Sequence, residues 1–184
     1  STNIKERRDH STAIMDRDGR LIVQADASLP IHIASMTGLM TTLIEKFGDD
    51  LAEGDIFIMN DPYTSGGIHL PDIFIIKPVF VYESLEGFSC VVAHHTDVGG
   101  IVPGSNSTNS TEIYQEGIRI PPLKLYERGV PNETLFALLE TNVRVPVKVL
   151  GDLRAEIAAA NTGEREYVQL ALRYGPATLR RYME

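Results

Sequence analysis

The sequence predicts an α+β fold: antiparallel β-hairpins with one helix in the first two thirds, and helices in the last third. Three observations carry this. An Asp-Gly pair at Asp18-Gly19 separates two β-like runs. Two further apolar runs, 73–82 and 87–94, face each other across a short polar turn. Helical stretches then run from about Glu133 to Leu139 and from about Val147 to Arg173.

Each element has its own signal. Ser11–Met15 and Arg20–Gln24 flank Asp16-Arg17-Asp18-Gly19, which reads as a tight hairpin. From Ser35 to Phe47, Met36, Leu39, Met40, Leu43, Ile44 and Phe47 recur at three- and four-residue steps, so one helix face is apolar, and Gly48 ends it. Gly54–Met59 is a short strand. The 73–82 and 87–94 runs form a second hairpin, turning near Ser84-Leu85-Glu86. Residues 103–111 are rich in Ser, Asn and Thr and read as a mobile loop and candidate lid. Leu123–Tyr126 is a short strand, and Gly175-Pro176 sets off a final helical piece.

The chain has 184 residues, 43% of them hydrophobic and 23% charged, enough for one domain with a core. We read 1–184 as one domain and as a fragment of a longer subunit, since it lacks an initiator Met and stops inside a helical pattern. A formal net charge of -8 argues against a nucleic-acid surface, which needs clustered Lys and Arg, and against an anionic membrane surface. Cys90 is the single cysteine, so no intrachain disulfide can form, and the expected compartment is the cytoplasm. It lies in an apolar strand and reads as a buried small residue.

The sharpest feature is a doubled motif. His69-Leu70-Pro71-Asp72 and His94-His95-Thr96-Asp97 each set a histidine and an aspartate three residues apart, beside glycine pairs. The first lies just before the outgoing strand of the second hairpin, and the second ends the returning one. Antiparallel pairing brings those ends together. Imidazoles and carboxylates suit a divalent metal such as Mn, Zn or Fe. The expected ligands are His69, Asp72, His94 and Asp97. A bend at Thr96 is needed, because otherwise His95 and Asp97 would share a face and His95 would be the ligand. The competing reading is a set of hydrogen-bonded structural residues.

Glu116, Asp61 and His32 are the candidate catalytic groups. Glu116, next to Gly117, could exchange a proton near a metal or simply cap backbone N–H groups. Asp61 and His95 are also reserve ligands. His32, which follows Pro30-Ile31 and precedes the helix, is either a substrate-side or supporting group or a buried structural one. Arg7, Arg8 and Asp9 read as an ion pair or a carboxylate anchor. Neither glycine pair is followed by Gly-Lys-Ser/Thr, so no Walker-type loop is present.

Taken together, Asn3–Asp9, Pro30-Ile31-His32, Asn60–Tyr63, Gly66–Asp72, Ala93–Gly100, Pro103–Ser105, Glu116–Ile118 and Gly151–Ala155 resemble the hydantoinase B/oxoprolinase family over nearly the whole chain. Ile68 and Ala34 depart from it, standing where threonine and glycine are frequent. The resemblance implies the hydrolytic subunit of an ATP-dependent cyclic amide hydrolase, of N-methylhydantoinase or 5-oxoprolinase type, and the His/Asp ligand set makes it the metal-bearing one. ATP would be used by a hydantoinase A-type partner subunit, and the substrate would be a small cyclic amide. The alternatives are the α subunit of an acetone-carboxylase-like ketone carboxylase, and a non-catalytic assembly module.

Overall fold

Both hairpins form. In the computed structural model, which describes residues 1–183, a short helix α1 (Thr2–Lys5) precedes the antiparallel pair β1 (His10–Asp16) and β2 (Leu21–Gln24). Helix α2 (Pro30–Phe47) begins earlier than its apolar periodicity indicates. Pro30 sits in the first turn, where its missing N–H costs nothing and its fixed φ suits a helix. His32 therefore rides on the first turn of a helix. After β3 (Ile56–Met59), the long strands β4 (Asp72–Val81) and β5 (Ser84–His94) pair from Asp72↔His94 to Val81↔Ser84. Their turn is Tyr82-Glu83, not 84–86, and both residues take positive φ, 49° and 66°. A two-residue hairpin turn needs that geometry, and glycine or asparagine usually signals it; neither is present.

Strands β6 (Leu123–Glu127) and β7 (Val130–Pro131) are followed by α3 (Glu133–Asn142), α4 (Pro146–Tyr174) and α5 (Pro176–Met183). Asn132 starts α3 by accepting the Leu135 N–H on its side chain. The seven strands form one sheet in the order β2-β1-β5-β4-β3-β6-β7, with every pair antiparallel. The fold is α+β, as the sequence predicts.

Helices cover both faces of the sheet. Phe74, Ile76, Cys90 and Val92 pack with Met36, Leu39, Met40 and Leu43 of α2. Ile73, Ile75 and Val91 pack with Leu135 and Leu139 of α3 and Leu150, Leu153 and Ile157 of α4. Successive strand residues point to opposite faces, so from Asp72 to Val79 in β4 and from Gly87 to His94 in β5 even numbers face α2 and odd numbers face α4; a bulge shifts this parity nearer the turn. Burying each such side chain contributes about 1.5–3 kcal/mol, so this parity is strongly held. Among the described residues, no helix is long and apolar enough to cross a membrane.

Candidate metal centre

The same parity decides which polar residues meet. Asp72 and His94 are even-numbered cross-strand partners at one end of the sheet, on the α2 side. His69 and Asp72 close a turn, with Asp72 N–H donating to the His69 carbonyl at 3.2 Å. The His69 ring folds back so that Nε2 lies 3.0 Å from Asp72 Oδ1. The His69 and His94 rings meet edge-on, with centroids 5.0 Å apart. One donor atom from each of His69, Asp72 and His94 lies within 4.8 Å of the others.

Glycines permit the surrounding loops. A Cβ on Gly67 would sit 2.8 Å from the Asn60 carbonyl oxygen, so the loop before His69 could not close. Gly100, at φ +81°, lies against Gln115 and Glu116, where a Cβ would meet the Gln115 oxygen at 2.6 Å.

Helix α2 supplies a third imidazole. Buried His32 has Nε2 3.5 Å from Asp72 Oδ2 and 3.7 Å from Asp9 Oδ1. Its Nδ1 is 2.9 Å from the Ser11 hydroxyl, which also accepts the Leu29 N–H. With Ser11 donating to Nδ1, the proton of neutral His32 sits on Nε2 and faces Asp72 and Asp9. His94 Nδ1 is 3.1 Å from the Asn3 side-chain amide. The contacting atom is the amide nitrogen, which donates to Nδ1 and so fixes the neutral ring with its proton on Nε2.

Charge follows this geometry. Burial would raise the Asp72 carboxyl, but the His32 and His69 imidazoles outweigh it and hold the pKa down to about 2. Contact with Asp72 raises His69, with Asp9 and Glu116 adding to the pull. Burial lowers His94, and neighbouring His69 lowers it further. One imidazole thus favours its cation and the other stays neutral. Asp72 Oδ1 is buried and, despite its closeness to His69, makes no aligned hydrogen bond. A buried carboxylate held close to two imidazoles, with one oxygen in no aligned hydrogen bond, fits a divalent cation.

Not every expected residue joins this set. Asp97, expected as the fourth ligand, is buried elsewhere. Its oxygens accept the Arg144 backbone N–H and guanidinium, both at 2.8 Å, and the Gly99 and Gly104 N–H groups at 3.3 Å. Burial would raise its pKa, but these donors outweigh it and hold the group ionised. Arg144 also donates to the Gly99 and Val102 carbonyls at 3.1 Å and to that of Gly100. Asp97 and Arg144 therefore clamp residues 97–104, and buried Ser105 accepts the Val98 N–H, so the start of the expected lid is bolted down.

His95 is odd-numbered and faces α4, where its Nε2 lies 2.7 Å from Glu156 Oε2 with both side chains buried. Asp61 also stands apart. It pairs with Arg119 at 2.8 Å and accepts the Tyr63 N–H and Thr64 hydroxyl. Arg119 stacks on Tyr63 and Tyr114, so Asp61 organises the loop leading to His69. Glu116 is half-buried and near enough to His69 to favour its cation.

Sequence reasoning missed Asp9, Asn3 and Ser11 as neighbours of the centre. His94 N–H donates to the Asp9 carbonyl at 2.9 Å, and His10 pairs with Ala93. The signal would have been the pairing of β1 with β5, which no local pattern reveals.

A seven-stranded α+β layer with a His–Asp cluster at one sheet end defines the class of protein. The chain belongs to the hydantoinase B/oxoprolinase family, whose sequence profile matches residues 1–184. It is 40% identical to caprolactamase subunit beta of Pseudomonas jessenii, over 91% of this chain and 28% of that protein. The crystal structure of the ATP-dependent caprolactamase from that organism matches with TM-score 0.90 at 38% identity, over 95% of this chain and 30% of that one. The chain is 38% identical to 5-oxoprolinase 1 of Arabidopsis thaliana, over its full length and 15% of that protein. A nucleotide-free acetone carboxylase structure, at 22% identity and TM-score 0.91, covers all of this chain and 24% of that one, and shares the fold. This chain spans less than a third of the length of these relatives.

Proposed function

We propose that this chain is the metal-bearing part of a hydrolytic subunit in an ATP-dependent cyclic amide hydrolase. The observation that carries the reading is the convergence of His69, buried Asp72 and His94, one donor atom of each lying within 4.8 Å of the others. His69, Asp72 and His94 would hold a divalent ion (Mn, Zn or Fe), with Asp9 rather than Asp97 as the neighbouring carboxylate that completes the set. A bound ion would supply Lewis acidity toward an amide-derived oxygen. His32 holds a proton at Nε2 against Asp72 and Asp9, which orients both carboxylates. Glu116, half-buried and near His69, is the group we assign to proton exchange with substrate.

The relatives called caprolactamase and 5-oxoprolinase support a lactam-type substrate, and the designation of a beta subunit supports a multi-subunit enzyme. We assign ATP use to a hydantoinase A-type partner, because no Walker-type loop occurs in this chain. We place the protein in the cytoplasm on its single, buried cysteine. The hydrolase reading is preferred to a ketone carboxylase because the lactam-hydrolysing relatives are the more similar in sequence.

The test uses the full-length protein with its partner, purified without added metal. Elemental analysis is expected to find one divalent ion per chain, and His94→Ala to lose both the ion and ATP-dependent lactam hydrolysis while the complex still assembles. Full hydrolysis by a metal-free complex would refute the reading. Loss of assembly in His94→Ala would favour the non-catalytic module.

A further inference from the structure

Directly behind the candidate centre lies a second pair of titratable groups that the proposed chemistry leaves unused. His95 and Glu156 are 0% and 2% exposed, and their side chains meet at 2.7 Å across the opposite face of the sheet. His95 Nδ1 and Glu156 Oε1 have no hydrogen-bond partner. A buried polar pair of this kind is a poor source of stability, since a well-packed apolar pair of similar volume is often as good or better. Its better-attested use is to select one arrangement of the chain.

The arrangement it selects is visible in the backbone. β5 ends at His94, and His95 continues in irregular structure, so no further ladder holds that end. Two restraints act on His95 itself. His95 N–H donates to the Pro71 carbonyl at 2.8 Å, and the His95 ring is held by Glu156 of α4. Pro71 precedes Asp72 within the His69–Asp72 turn, so one residue ties the β5 end to that turn and to α4. A slip or twist at His95 would move the His94 ring on the other face, because neighbouring side chains share one rigid peptide.

We infer that Glu156 is a positioning residue for the centre: through His95 it sets the orientation of His94 and its spacing from the His69–Asp72 turn. This rests on the proposed metal reading only for its consequence, a tighter ion; the geometric claim stands without metal. Removing such a support is expected to weaken ion affinity by about 10–100-fold.

The experiment uses the full-length protein carrying isotope-labelled histidine, first stripped of metal and then titrated with zinc. Two variants are compared with wild type. His95→Leu/Glu156→Leu replaces the pair with apolar side chains, and Glu156→Gln keeps the shape and removes the titratable carboxyl. In metal-free protein, the double variant is expected to unfold at or above the wild-type temperature while its His94 and His69 ring resonances shift or broaden, and to bind zinc about 10–100-fold more weakly. Glu156→Gln is expected to fall between. Unmoved ring resonances in either folded variant would overturn the inference and leave the pair a plain brace. If the double variant does not fold, Glu156→Gln alone decides by the same criterion. Failure of zinc to perturb the wild-type rings would count against the metal reading, and the metal-free comparison would still decide the role of Glu156.

Discussion

The two His/Asp runs look like repeats of one motif, yet they end in different places. His69-Leu70-Pro71-Asp72 is a turn whose two ends meet, so both polar side chains enter one site. His94-His95-Thr96-Asp97 starts as a strand, so its members are dealt to different surroundings. His94 joins Asp72, His95 goes through the sheet to Glu156, and Asp97 leaves to clamp a loop with Arg144. Identical spacing within a turn and across a strand end therefore means different geometry. A turn brings residues three apart together, whereas a strand sends them to opposite faces.

The comparison can be broken most sharply by removing one aspartate from each run. Asp72→Ala is expected to bring metal content from stoichiometric to background and to abolish turnover of the assembled enzyme. Asp97→Ala is expected to keep the metal and lose stability instead. Four donors would lose their acceptor. With Arg144 partly exposed, this would cost about 2 kcal/mol, read as a lower denaturant midpoint. If Asp97→Ala removed the metal as well, the two runs would be equivalent after all.

A smaller effect would sharpen the contrast between the faces. Burial pushes the Glu156 carboxyl up to about 7 from an ordinary value of 4.5. Between those values the folded state holds more protons than the unfolded state, so the contribution is full below pH 4.5 and is lost as pH rises through about 7. On the α2 face the sign reverses. Asp72, held down to about 2 in metal-free protein, contributes stability above its ordinary 3.8 that is lost as pH falls toward 2. Unfolding curves of metal-free protein across pH are expected to show both slopes. Glu156→Gln should remove only the upper one.

The smallest effect concerns Cys90, on the α2 face and 1% exposed. Burial raises its thiol far above the ordinary range. Native protein is expected to resist alkylation at neutral pH, and modification by mass spectrometry should appear only with denaturant. Rapid native labelling would mean that the α2 layer opens.

Local signals were reliable where the chain's own chemistry dictated the outcome. Asp18-Gly19 marked a real hairpin, and the apolar steps from Met36 to Phe47 marked the buried face of α2. The second hairpin and the meeting of Asp72 with His94 were also legible, because adjacent antiparallel strands align their ends without further information. The turn at Tyr82-Glu83 was not, because neither residue is one that a positive φ usually selects. Asp9, Asn3 and Ser11 were out of reach for another reason: they reach the centre only because β1 pairs with β5.

What the amino-acid order determined by itself was short-range: the α+β class, the helix faces, and the convergence of His69, Asp72 and His94. Tertiary structure alone decided that Arg144 would take Asp97, that Glu156 would take His95, and that Asp9 would stand beside the imidazoles. Each of those partners lies far away in the chain. Which charged group finds which is settled only when strand order and helix docking bring distant segments within a few ångströms, where burial leaves no polar group indifferent to its neighbour.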